Sequence, residues 1–333
     1  MYKRESDGKL FFRVTEVASA PDCEARAYNV VHRVEKDLIT NAITMPGIAM
    51  HWRIEKFLSK EKGYVPPPAI EWSDGDKEIQ ERWHNDGSLR ERLTMPVQEG
   101  FEGFMQFYRS LEFINEKGER QSGIDPVFLE RRLWTEDFAG TGLAIAGTVD
   151  LIARIWLKGD IEDDGYFHEC KHLKPYDTMC KCKHQWVVTV ADWKYSVQKQ
   201  KSHPEQMSAY HWNGMNDGDL EKGVPSTFDM ATDNGKFPIN YENWSVLLKR
   251  PSNHIGFTIH KYPQDITAFL KACEIIKNPK FTSFSHRTSS YGLKMICTFC
   301  QYHGKHCPDG AVVSGDPTVH IKMVRLQEDV PLQ

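Results

Sequence analysis

The chain has 333 residues, 40% hydrophobic and 26% charged, with a formal net charge of −4. This length fits two domains or one core fold with large insertions, and the composition is that of a globular chain able to bury a sizeable core. The mildly acidic balance excludes a protein that coats nucleic acid through general basicity, and no run approaches the length of a transmembrane helix. Met1-Tyr-Lys-Arg-Glu-Ser-Asp7 lacks the apolar region of a secretory signal and carries acids that a transit peptide avoids. An intracellular, cytoplasmic protein with no membrane partner is therefore expected.

Residues 11–38 begin apolar and pass into a helix. Ser19-Ala-Pro21-Asp22 supplies capping and first-turn chemistry, and Cys23, Tyr28, Val31 and Val34 fall near one face. A second helix starts at Thr44-Met-Pro46-Gly47 and carries Ile48, His51, Ile54, Glu55, Phe57 and Leu58. Residues 63–92, with Pro66-Pro-Pro68 and several Gly/Asp breaks, read as a loop region with a short helix. Met95–Asn115 reads as a helix whose stripe of Val97, Phe101, Phe104, Tyr108 and Leu111 belongs to the core. Pro126–Glu136 is a strand, and Gly142–Leu157 is its neighbour, carrying Gly147-Thr-Val-Asp150. Gln185–Lys194 is a further, more continuously apolar strand that ends in Asp192-Trp-Lys194. A polar break then leads to His203-Pro-Glu-Gln206-Met-Ser-Ala-Tyr210, whose Pro204 fits the first turn of a helix. Asn213–Asn240, rich in Gly, Asp and Asn, reads as a long connection or lid. Trp244–Lys249 and His254–Tyr262 are strand-like, and Gln264–Lys277 is an amphipathic helix stopped by Asn278-Pro279.

Asp150, Asp192 and Lys194 on adjacent strand ends form a set that can hold hard divalent cations through carboxylate oxygens, with the lysine facing the water or phosphate oxygen. That layout suits metal-assisted hydrolysis of a phosphodiester. The order G-x-x-D, D-x-K, Q-x-x-x-Y resembles the PD-(D/E)-x-K nuclease superfamily, and in particular its RecB-like branch. Gly47-x-x-x-His51, with Glu55 one turn on, is similar to the helix that brings a histidine to the metal in that branch. The resemblance implies Mg²⁺ or Mn²⁺ at Asp150, Asp192, His51 and the backbone carbonyl of Trp193. It implies catalysis by Lys194 and positioning of DNA by Gln206 and Tyr210, and it makes single-stranded DNA or DNA ends the expected substrate. Glu130, on the preceding strand, could approach the metal but reads first as a surface carboxylate.

Cys297-x2-Cys300-x6-Cys307 groups three thiolates among neighbours too polar for buried thiols. Three is one short of a closed zinc site or a cubane cluster. The fourth ligand comes either from His303 or His306, giving a zinc knuckle, or from Cys23. Ser19-x-x-x-Cys23-Glu-x-Arg26-x-Tyr28 resembles the N-terminal segment of the iron–sulfur members of the branch, the AddB-type and CRISPR-associated nucleases. Those proteins use one cysteine before the nuclease core and three after it, which implies a 4Fe–4S cluster on Cys23, Cys297, Cys300 and Cys307.

Between Lys171 and Lys201 seven lysines stand against two aspartates. The insertion Gly159–His184 also holds Cys170, Cys180, Cys182, His168 and His172, but Cys180-x-Cys182 is too tight for the usual zinc knuckle. It reads as a basic flap over the DNA backbone, with Lys171, Lys174, Lys181 and Lys183 as phosphate contacts. The whole is expected to be an α/β protein, a central mixed sheet flanked by helices with a restriction-endonuclease-like core and an iron–sulfur clasp joining the N- and C-terminal segments. Its expected parts are an N-terminal helical region (1–125), a nuclease core (126–280) with the basic insertion at 159–184, and a C-terminal cysteine cluster and tail (281–333). The expected activity is that of a metal-dependent deoxyribonuclease, an exonuclease on single-stranded DNA or DNA ends; the rivals are a DNA-binding subunit with an idle nuclease site and a zinc-ribbon interaction protein.

Overall fold

The computed structural model describes residues 1–32, 40–41, 45–62, 87–115, 117–161, 167–169, 184–195, 203–216, 242–249, 256–279 and 320–321. β1 (Tyr2–Lys3) and β2 (Leu10–Arg13) pair antiparallel, and β2 runs directly into α1 (Val14–Ala18). The Glu16 carboxylate accepts the Arg13 N–H at 3.0 Å, which satisfies a donor at the start of that helix. A 3-10 turn (Ala20–Asp22) leads to α2 (Glu24–Val31), and β3 (Thr40–Asn41) precedes α3 (Met45–Lys62), which opens on Met45-Pro46 as its sequence predicts. α4 (Gly87–Ser110) contains the expected aromatic stripe but begins at Gly87 rather than Met95 and stops at Ser110. Residues beyond it fold into the hairpin β4 (Phe113–Ile114) and β5 (Arg120–Gln121).

The central strands follow: β6 (Ile124–Thr135), β7 (Ile145–Ile161), β8 (Phe167–Glu169) and β9 (His184–Lys194). α5 (His203–Asn216) then opens with Pro204 and Glu205 in its first turn, as the sequence predicts. It also takes in residues 213–216, which were expected to begin the long connection. Asn213 is fully buried and its Oδ1 accepts the Thr135 hydroxyl at 2.9 Å, so a tertiary contact overrides its weak helix propensity. β10 (Glu242–Leu247), β11 (Thr258–Tyr262) and α6 (Thr267–Lys277) complete the core, and β12 (His320–Ile321) pairs with β3.

The main sheet has the order β1-β2-β7-β9-β10-β11, with β6 and β8 also paired to β7. It is mixed: β2 runs parallel to β7 and β9 parallel to β10, while the other pairs are antiparallel. Helices flank both faces. Val14, Val17, Met207, Ala209, Phe269 and Cys273, from α1, α5 and α6, pack on one side. Met50, Ile54, Leu58, Phe104 and Phe107, from α3 and α4, pack on the other. The α/β architecture with a central mixed sheet is therefore as expected. No helix among the described residues is long and apolar enough to cross a membrane.

Candidate metal centre

A strand alternates its side chains between faces, so its apolar residues report its phase. On β7, Ile145 and Val149 join the α1/α5/α6 core, whereas Leu151, Ala153 and Ile155 join the α3/α4 core. All five are odd-numbered, so the strand changes phase at Asp150. β6 does the same beside it: Leu133 lies in the first core and Leu129 in the second. The ladder pairs Leu129 with Leu151 and Arg131 with Val149, and between these pairs Glu130 stands opposite Asp150. Glu130 has φ 48°, a left-handed conformation that a non-glycine residue holds only where its surroundings impose it. β9 diverges from β7 just past the Leu151–Ala191 pair. The next residue on each strand is an aspartate, Asp150 and Asp192.

This divergence leaves backbone groups of Trp193 without a β7 partner, and side chains take them. The Trp193 N–H donates to Asp150 Oδ2 at 2.7 Å, and its carbonyl lies 2.8 Å from His51 Nε2. A carbonyl only accepts, so Nε2 carries the proton and donates. The other ring nitrogen, Nδ1, then points at two carboxylates, Asp150 Oδ1 at 3.3 Å and Glu130 Oε1 at 3.7 Å. His51, Glu130 and Asp150 bring their ligand atoms within 4.8 Å of one another, and theirs is the group of this kind that the described residues form. Glu130 is thus not a surface carboxylate; its side chain is 19% exposed and belongs to the site. The Trp193 carbonyl, expected as a ligand, is in this structure the hydrogen-bond partner of the histidine ring. Glu55, one turn beyond His51, is buried and stands outside this group.

Lys194 Nζ lies 2.9 and 2.8 Å from the two oxygens of Asp192, which is only 2% exposed. Burial disfavours every charge here, but the neighbours decide the outcome. It pushes Asp192 up to about 6, with the Asp150 charge adding to the rise and Lys194 opposing it. Burial works against the Asp150 anion too, yet His51 and Lys194 outweigh it and hold the carboxyl below its usual value. Partial burial opposes a charge on the His51 ring as well, but Asp150 and Glu130 draw it well above an ordinary imidazole. Lys194 is raised for the same reason, through Asp192 and Asp150. With His51 neutral, three carboxylates face one ammonium, leaving two negative charges. One divalent cation beside Nδ1 would balance that deficit and take the place of a proton on the imidazole.

Gln206 and Tyr210 do lie together. The Gln206 amide donates to the Tyr210 hydroxyl at 2.8 Å, and both are buried. The Tyr210 ring lies over Gly147, where an added Cβ would stand 2.5 Å from its Cε1. The Tyr210 hydroxyl is raised by burial and then by Asp192 and Asp150, so the pair sits within the field of the site rather than on an open surface. Cys23 is 5% exposed, at the junction of the 3-10 turn and α2. Its expected partners Cys297, Cys300 and Cys307 lie outside the described residues, as do His303, His306, Lys171, Lys174, Lys181 and Lys183. No protein-family model matches the chain, and comparison with curated proteins gives no match.

Proposed function

We propose that this chain is a metal-dependent nuclease of the RecB-like branch, hydrolysing phosphodiester bonds of DNA as an exonuclease on single strands or ends. The observation that carries this reading is the convergence of His51 Nδ1, Glu130 and Asp150 within 4.8 Å, in a half-buried site where Asp192 and Lys194 pair alongside. One imidazole and two carboxylates suit Mn²⁺ or Mg²⁺. A divalent cation supplies Lewis acidity towards the phosphate at such a site. Lys194, fixed by Asp192, directs its ammonium at the non-bridging oxygens and stabilises the charge that builds up in the transition state. Trp193 holds both the Asp150 carboxylate and the His51 ring by its backbone, so the ligands are oriented before substrate arrives.

On this reading the sheet is a restriction-endonuclease-like core. Cys23 with Cys297, Cys300 and Cys307 holds a 4Fe–4S cluster that clasps the two ends of the chain around it. The deciding experiment incubates end-labelled DNA with the wild type and Lys194→Ala, with Mg²⁺, Mn²⁺ or a chelator. Cleavage by the wild type that needs metal, and falls by about 10²–10³ in the variant, is expected for the loss of one transition-state donor. Equal cleavage by both proteins refutes the assignment of Lys194, and no cleavage with either metal refutes the nuclease.

A further inference from the structure

The metal centre continues into a second feature that the reading above does not use. Below Asp150, the even-numbered positions of β6 and β7 share one face: Glu130, Arg132 and Trp134 beside Ala146, Thr148 and Asp150. Arg13 on β2 is in register with Ala146, so it extends that face sideways. Arg132 therefore lies two residues along the strand from Glu130, about 7 Å.

Arg13 and Arg132 share one aromatic ring. Their guanidinium carbons lie 4.6 and 4.0 Å from the centroid of Tyr2, and Arg132 also lies 5.7 Å from the Trp134 ring. The Nε–H of each has no acceptor among the described residues. Arg132 has no carboxylate partner among the described residues, and Arg13 has only Glu16, at 4.0 Å. The neighbouring cations differ: Arg4 and Lys9 are both engaged by Glu136, at 2.5 and 2.6 Å. Two like charges brought to one ring, with only the distant Glu16 carboxylate beside them, cost free energy in the fold alone. Stacking also removes side-chain freedom in advance, so a ligand need not supply that ordering.

We propose that this face binds a single-stranded nucleic acid leading to the metal centre, with phosphates at Arg13 and Arg132 and a base against the Arg132–Trp134 surface. The proposal rests on the nuclease reading for its direction, but not for its chemistry. Anionic phosphates supply the charge that the pair lacks, and guanidinium planes and aromatic rings stack bases that only an unpaired strand exposes.

Binding is measured by fluorescence anisotropy with a labelled single-stranded oligonucleotide in chelator, so that cleavage plays no part. Arg13→Ala/Arg132→Ala is expected to bind roughly ten- to a hundredfold more weakly than the wild type. Its log–log salt slope should fall by about 1.4, for two single-strand phosphate contacts. As a measurement on the intact protein, an arginine-selective dicarbonyl should modify Arg132 more slowly when the oligonucleotide is bound. Wild-type affinity and slope in the double variant overturn the proposal. So does Arg132 modification that the oligonucleotide leaves unchanged, which decides the matter even if the variant does not fold. An equal loss of affinity for a blunt duplex overturns the single-strand assignment. Protein that binds through these arginines but never cleaves keeps this face and loses the nuclease, whereas cleavage with the face unused does the reverse.

Discussion

Tyr210 rests its ring on the bare backbone of Gly147, and the space between them has no room for a methyl group: a Cβ there would lie 2.5 Å from Tyr210 Cε1 and 2.7 Å from Val14 Cγ2. The glycine of G-x-x-D and the tyrosine of Q-x-x-x-Y are thus two halves of one contact. It fixes the strand that carries Asp150 against α5. Gly147→Ala is predicted to displace Tyr210 and to cost about 1–3 kcal/mol, as overpacking does. Metal-dependent cleavage should fall with it, and Gly147→Ala/Tyr210→Leu should regain part of the stability. Urea unfolding of both variants checks this. A single variant as stable as the wild type would mean that the ring moves aside freely.

Glu130 is expected to matter to metal binding as much as His51 does. Its carboxylate faces the same ring nitrogen as Asp150, from a backbone conformation that costs free energy to hold. Glu130→Gln and His51→Ala should each raise the metal concentration needed for half-maximal cleavage by more than the roughly tenfold that outer partners cost. Neither should change oligonucleotide binding in chelator. Mn²⁺ should outperform Mg²⁺ in the wild type, because imidazole suits it better, and should lose that advantage in His51→Ala. Titrating cleavage against each metal provides the check. An unchanged requirement in Glu130→Gln would remove that residue from the ligand set.

The difference between what Asp150 and Glu130 reveal in sequence is instructive. The strand that carries Asp150 is legible as a long apolar run, the one before Lys194 because its apolar run ends in charges, and the helix at His203 because Pro204 and Glu205 fit a first turn. Glu130 sits in the charged run Glu130-Arg131-Arg132, where alternation gives no face. Its role depends on register and on a phase change shared with β7, and a slip of one residue would turn it away. The Trp193 carbonyl is similarly hidden: only the divergence of β9 from β7 frees it for His51. The early start of α4 at Gly87 and the helical Asn213 are set by packing, against which local propensity is a weak guide.

The proposed cluster makes a prediction that spans almost the whole chain. Cys23→Ser should lose iron and acid-labile sulfide as completely as Cys300→Ser, because a cubane needs all its thiolates. Cys23 lies buried just before α2, between Ala20 and Ala27 of the core that α1, α5 and α6 build on the sheet, so loss of the cluster should also lower the melting temperature. Metal and sulfide counts on the two purified variants decide the point. Full iron retention in Cys23→Ser, or zinc without sulfide in the wild type, would assign Cys297, Cys300 and Cys307 to a local site.

His211 gives the fold a dependence on acidity that is separate from the metal centre. It lies on α5, 3% exposed, and burial pushes its pKa down to about 4, with the nearby Asn243 side chain acting the other way. The folded state therefore holds the ring neutral, while the unfolded chain protonates it near the ordinary value of about 6.5. Above that pH both states are neutral and the ring has no effect. As pH falls from about 6.5 towards 4 the unfolded state gains a proton that the folded state refuses, and stability drops by up to about 3 kcal/mol. Below pH 4 the folded ring protonates too and the loss levels off. His211→Gln is predicted to remove this part of the acid sensitivity while leaving other carboxylate contributions in place. Urea unfolding free energies for wild type and variant at several pH values between 4 and 7 give the comparison. Parallel curves, with a constant difference across that window, would show that His211 titrates alike in both states.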